Sequence, residues 1–114
     1  MRTADVAGVS IMQSTLGNFL EHLVWDMRTV RPLLGPCTVA LVNAFSLVES
    51  DRNPRHKVAL TDAICLADGI GVAVLARTPK IAGADLMLAA ARHPVLGKMR
   101  HVLLGGFGVA FKAA

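Results

Sequence analysis

Apolar residues fall into segments whose period changes along the chain, and these changes predict the elements. Residues 1–10 show no strong period and read as a loose N-terminal lead-in or a short strand. From Ile11 onward Met12, Leu16, Phe19, Leu20, Leu23, Met27 and Val30 recur three or four apart, which predicts an amphipathic helix. Asn18, Glu21, His22 and Asp26 fall mostly on its other side, Trp25 lies off the stripe, and Pro32 stops the helix. After the Gly35-Pro36 break, Cys37 to Val42 is apolar without alternation, the pattern of a strand covered on both faces. Helices are then expected over 44–50 and 55–62, separated by the turn cluster Asp51-Arg52-Asn53-Pro54. Ala63 to Ala67 repeats the buried-strand pattern and ends at Asp68-Gly69. Helices over 70–77 and about 84–92 follow, and 101–104 reads as a third buried strand before Gly105-Gly106-Phe107-Gly108 and a helix from Val109.

Strands alternating with helices predict an α/β fold, a Rossmann-like parallel sheet with flanking helices. Three strands are few for such a sheet, so the sheet is expected to be incomplete. Residues 11–114 form the single domain that 114 residues allow.

Composition narrows the class. Apolar residues make up 54% and charged residues 18%, which argues against disorder. With four Phe, one Trp and no Tyr, the core must be aliphatic. The net charge of +4 is spread out; Arg52, Arg55 and Lys57 form the densest group, with Arg77 and Lys80 a second. Neither group has interleaved aromatics or a nucleic-acid motif, so no nucleic acid is expected as partner. Cys37 and Cys65 lack metal or disulfide spacing and read as buried thiols in a reducing, cytoplasmic setting. No signal peptide or membrane-spanning run is visible. The histidines show no ligand spacing, and neither a metal nor another cofactor is implied.

Each expected strand ends in polar or glycine residues: Asn43, then Asp68-Gly69, then Gly105-Gly106. Ligands of open α/β sheets bind beyond the carboxyl ends of the strands, so these ends form a candidate site. Asp68 interrupts an apolar stretch running from Ala63 to Ala76. A carboxylate at the edge of a dry core suits a general base towards a sugar hydroxyl, and it equally suits a helix N-cap. Gly69 and Gly71 would let a ligand approach closely. Asn43 could bind a sugar or nucleotide, or cap the helix after it. Asp85 reads as a helix-start residue. Gly105-Gly106-Phe107-Gly108 has the layout of an anion cradle but lacks the Lys-Ser/Thr ending of a P-loop. A dinucleotide fingerprint at Gly69 fails because Asp85 comes too early to be its acidic partner.

Asn43-Ala44 with Leu47-Val48, then Ala67-Asp68-Gly69-Ile70-Gly71-Val72, then Gly83-Ala84-Asp85-Leu86-Met87, then Leu103-Leu104-Gly105-Gly106 together resemble the WecG/TagA/CpsF glycosyltransferase family. The resemblance runs from about residue 11 to the end. It implies an inverting α/β enzyme at the inner face of the plasma membrane. Such an enzyme transfers a hexosamine-type sugar from a UDP-sugar donor to a polyprenyl-diphosphate-linked sugar acceptor. Members serve wall teichoic acid, enterobacterial common antigen or exopolysaccharide synthesis. By position Asp68 resembles the catalytic base and Asn43 the pocket asparagine; Gly69, Gly71, Lys80, Asp85, Gly105 and Gly106 fall on substrate-binding positions. Leu41 stands where the family usually has threonine, Lys80 where arginine is common, and Phe111 where an acidic residue is common. Members also continue further, so the chain is expected to be the N-terminal portion of such an enzyme, with exposed apolar surface and a tendency to self-associate. The rival readings are a catalytically inactive α/β remnant and a small nucleotide-sugar- or partner-binding module.

Overall fold

Residues 2–104 are described by a computed structural model. The first ten residues are more ordered than their pattern suggests. Thr3–Val6 (β1) and Val9–Met12 (β2) form an antiparallel hairpin with Val6 opposite Val9. Its turn is Ala7-Gly8, with positive φ of 53° and 82°, the twist that two-residue hairpins require. The Gly8 amide donates to Asp5 Oδ1 at 2.9 Å and holds the turn. Of the two readings of residues 1–10, the short strand is the one found; its pairing into a hairpin went unforeseen because alanine in the left-handed region is no recognisable turn signal.

The hairpin also moves the start of the first helix. Ile11 and Met12 belong to β2, and α1 spans Leu16–Thr29. Thr15 caps it, its hydroxyl accepting from the Asn18 amide at 3.2 Å. Arg31–Leu34 (α2) follows, with Pro32 in its first turn. The remaining elements are Val39–Val42 (β3), Ala44–Arg52 (α3), Pro54–Thr61 (α4), Ile64–Ala67 (β4), Ile70–Ala76 (α5) and Gly83–Arg92 (α6). A 3-10 turn at Leu96–Lys98 packs onto the end of α6, where a Cβ on Gly97 would collide with the Ala91 carbonyl oxygen.

The four strands are ordered β1-β2-β4-β3. β2 and β3 both run parallel to β4, and β1 is antiparallel at one edge. Central β4 is buried on both faces, as its continuous apolar pattern requires. Alternation divides its side chains between two cores. Cys65 and Ala67 join Ile11, Val42, Leu60 of α4 and Val72, Ala73 and Ala76 of α5. Leu66 points the other way, among Phe19, Leu20 and Val24 of α1, Ile81 and Leu96. The result is a mostly parallel sheet between two helical layers, the α/β class expected.

Residues 101–104 form no strand. Val102, Leu103 and Leu104 are 72%, 78% and 89% exposed. An apolar run is buried only where a neighbour covers it, and here the run lies beside the α1–α6 groove instead of in the sheet. Gly105, Gly106 and the expected helix from Val109 lie outside the described residues. Cys65 is buried as expected, whereas Cys37 is only half-buried. Trp25 is 55% exposed and stacks on His22 with ring centroids 5.8 Å apart.

Candidate active site

Parallel pairing of β3 with β4 places Val42 opposite Ala67, so Asn43 and Asp68 leave the sheet side by side. The Asp68 amide donates to the Val42 carbonyl at 2.9 Å and fixes this juxtaposition. Two strand ends far apart in sequence thereby meet at one carboxyl edge.

The two side chains have different surroundings. Asn43 Oδ1 accepts from the Ser46 amide at 2.9 Å and the Ser46 hydroxyl at 3.0 Å, closing a capping box on α3. Asn43 is therefore a helix cap, its backbone amide donating to the Ser46 hydroxyl, and its side-chain Nδ2 makes no hydrogen bond among the described residues. Asp68 does not cap its helix. The N-cap position of α5 is Gly69, and no side chain caps that helix. The half-buried Asp68 carboxylate has neither a hydrogen bond nor an ion pair among the described residues. Of the two roles open to it from sequence, capping is thus excluded.

Gly69 has φ 99° and ψ 150°, a conformation essentially confined to glycine, and it turns the chain sharply from β4 into α5. Gly71 lies in the first turn of α5 with open space where a Cβ would stand. Leu41 offers the edge no polar group; its Cδ1 lies 3.0 Å from where a Gly83 Cβ would be, so this leucine supports the start of α6. Lys80 is exposed and precedes Ile81, whose amide donates to the Ala67 carbonyl at 2.8 Å. That bond brings the Lys80-Ile81 peptide to the end of β4. Asp85 is exposed in the first turn of α6, where the helix dipole favours a carboxylate. Asn43, Asp68, Gly69, Gly71, Lys80 and Asp85 thus share one end of the sheet, while Gly105 and Gly106 lie outside the described residues.

The sequence reading missed the neighbouring cavity. Arg2, Gln13, Ser14, Thr15, Asn18, Arg77, Thr78 and Pro79 line a polar hollow of about 420 Å³ at the carboxyl end of β2. Gln13 Nε2 donates to the Ala76 carbonyl at 2.8 Å, and the Ser14 amide donates to Thr78 Oγ1 at 2.9 Å. The signal was the polar Gln13-Ser14-Thr15 run, which reads as a strand end only once β2 is recognised.

The histidines have structural roles where the contacts define one. His93 Nδ1 accepts from the Val95 and Leu96 amides, leaving Nε2 to donate to Glu21 Oε1 at 2.9 Å. His101 Nε2 donates to the Leu96 carbonyl at 2.8 Å. Among the described residues no group of three or more His, Cys, Asp or Glu could hold a metal ion. Nor is any described helix long and apolar enough to cross a membrane.

No curated protein and no solved structure matches the chain. A family model does match, over residues 4–114, and it covers the hairpin from Ala4 onward, both strand ends and every residue lining the polar hollow except Arg2. With an aspartate unpartnered among the described residues at the end of the central strand, beside an asparagine on the next, the chain belongs to the glycosyl transferase WecG/TagA/CpsF family.

Proposed function

We infer that the protein works in cell-surface polysaccharide synthesis at the inner face of the plasma membrane. It moves a hexosamine-type sugar from a UDP-sugar donor to a polyprenyl-diphosphate-linked sugar acceptor, with inversion. The observation that carries this reading is the Asp68 carboxylate, half-buried at the carboxyl edge and without a partner among the described residues. A base engaged in a cap or ion pair would have to give up that bond before taking a proton; among the described residues Asp68 has none to give up. Asp68 takes the proton of the acceptor hydroxyl as its oxygen attacks the anomeric carbon. The bond from that carbon to the β-phosphate oxygen breaks, and UDP leaves with the electron pair. The Asn43 side-chain Nδ2, unspent by the cap, is placed to orient a sugar hydroxyl.

The test is UDP release in the presence of a polyprenyl-diphosphate-linked sugar, comparing the wild type with Asp68→Asn. Loss of a general base costs roughly 10²–10⁴-fold in turnover. The urea midpoint should stay unchanged, because the carboxylate holds nothing in the fold. Equal rates would remove Asp68 from the mechanism. Leu41 supports a second reading, a nucleotide-sugar-binding module without turnover, because that position supplies packing and no polar contact. UDP binding without any UDP release from the donor would select it.

A further inference from the structure

The polar hollow beside β2 is not explained by the proton chemistry at Asp68, and its charge is one-sided. Arg2 and Arg77 line it, no carboxylate does, and neither arginine forms an ion pair among the described residues. Gln13, Ser14, Thr15, Asn18 and Thr78 complete a wall rich in hydrogen-bonding groups. Arg77 reaches this wall at a conformational cost, since its backbone has φ 53° and ψ 49° at the end of α5, where glycine is usual. Two arginines lining one hollow of about 420 Å³, neither of them ion-paired among the described residues, are the chemistry of an oxyanion site, and their guanidinium forks suit phosphate oxygens best.

The hollow is tied to the base by short lengths of chain. α5 starts two residues after Asp68 and ends at Ala76, next to Arg77. A helix of seven residues spans about 10 Å. The return path is as short: Thr78 holds Ser14, and Ile81 is bonded to the carbonyl of Ala67, the residue before Asp68. Inverting glycoside hydrolases, which also displace a group at an anomeric carbon, set their two catalytic carboxyls roughly 6.5–9.5 Å apart, a separation of the same order.

We propose that this hollow is the diphosphate subsite, in which Arg2 and Arg77 grip the diphosphate of one substrate while Asp68 faces the reacting hydroxyl. It rests on the glycosyltransferase reading for its purpose, but its binding chemistry can be measured without turnover. Both substrates carry a diphosphate, so inorganic pyrophosphate is the first probe, by calorimetry at low salt. Arg77→Gln and Arg2→Gln should each weaken its binding roughly tenfold or more. Arg77→Lys should recover only part, because an ammonium lacks the planar fork. The double variant Arg52→Gln/Arg55→Gln, which removes equal or greater charge from exposed positions outside the hollow, should bind as the wild type does. UDP and farnesyl diphosphate are then compared, and the one whose binding depends on Arg77 identifies the source. Absent pyrophosphate binding overturns the proposal, as do equal losses in the Arg52/Arg55 control or arginine-independent binding of both organic diphosphates. Matched urea midpoints exclude misfolding as the cause. If Asp68→Asn abolishes turnover while the arginine variants bind normally, only the subsite is wrong. If pyrophosphate binding needs Arg77 but the protein never releases UDP, only the enzymatic reading is wrong.

Discussion

Gly69 and Gly71 lie two residues apart in one strand-to-helix turn, yet alanine should have opposite effects at the two. A Cβ at either position would meet nothing within 4 Å, so steric overlap contributes to neither. What remains is the backbone. At Gly69, φ 99° with ψ 150° is a region L-residues essentially do not occupy, and forcing one there costs on the order of 1–3 kcal/mol. Gly71 is helical, and alanine there lowers the entropy of the unfolded chain, stabilising the fold by about 0.4–1 kcal/mol. The two variants should therefore differ by roughly 1.5–4 kcal/mol in unfolding free energy. Urea titration followed by far-UV circular dichroism reads that difference directly. Gly69→Ala as stable as the wild type, or less harmful than Gly71→Ala, would show that the turn at Asp68 is not held in this conformation. Turnover adds a second discrimination. Gly71→Ala that is folded and stabilised but inactive would mean that a ligand approaches the backbone there, since the fold itself leaves the space open.

Burial pushes the Cys65 thiol above its ordinary value of 9.0, whereas Cys37 is half-buried. In the folded protein at pH 8, Cys37 should react with a disulfide reagent well before Cys65, and urea should equalise them; equal native rates would contradict the buried β4. Because the folded value is the higher one, the stability linked to Cys65 is fully present below pH 9.0 and is lost as pH rises through the raised value. Exposed Ile70 and Val74 stand one turn apart on α5, with Leu75 beside them, and Met87 and Leu88 are exposed on α6. Such a surface should drive concentration-dependent self-association, weakened by Val74→Lys; light scattering that finds a monomer at every concentration would refute it.

The centre of the sheet was legible from sequence because its signals agree with one another. Ala63 to Ala67 followed by Asp68-Gly69 placed β4 and α5 to within about a residue, since a short apolar run fits a strand covered on both faces and its Asp-Gly end fits a turn into a helix. The hairpin was not legible. Ala7-Gly8 is a poor advertisement for a two-residue turn, and Met12 happens to fall four residues before Leu16, which extended the helical stripe into β2. That single misreading hid the hollow, because Gln13, Ser14 and Thr15 then counted as helix rather than as the end of a strand. Residues 101–104 failed for the opposite reason: composition records that a segment is apolar but not whether anything covers it. The choice between cap and catalytic base at Asp68 was closed to sequence altogether. Aspartate serves both roles, and only the backbone at Gly69 shows that the helix starts one residue too late for Asp68 to cap it.

The topology explains why residues from opposite ends of the described chain converge on one edge. Parallel strands deliver their carboxyl ends there, which accounts for Asn43, Asp68 and Gln13. β1 is antiparallel, so it delivers its amino end instead, and Arg2 arrives beside Gln13, whose amide donates to the Arg2 carbonyl at 2.9 Å. α5 has only seven residues and packs against both β4 and β1, so it crosses from one strand end towards the other. Its last carbonyl, at Ala76, receives the Gln13 side chain, and Arg77 is thereby set down at the hollow. A longer helix would have carried that arginine past the edge. α5 thus stands between the Asp68 carboxylate and Arg77, and neither Arg77 nor Arg2 pairs with that carboxylate among the described residues, which the proposed division between proton transfer and diphosphate binding would require.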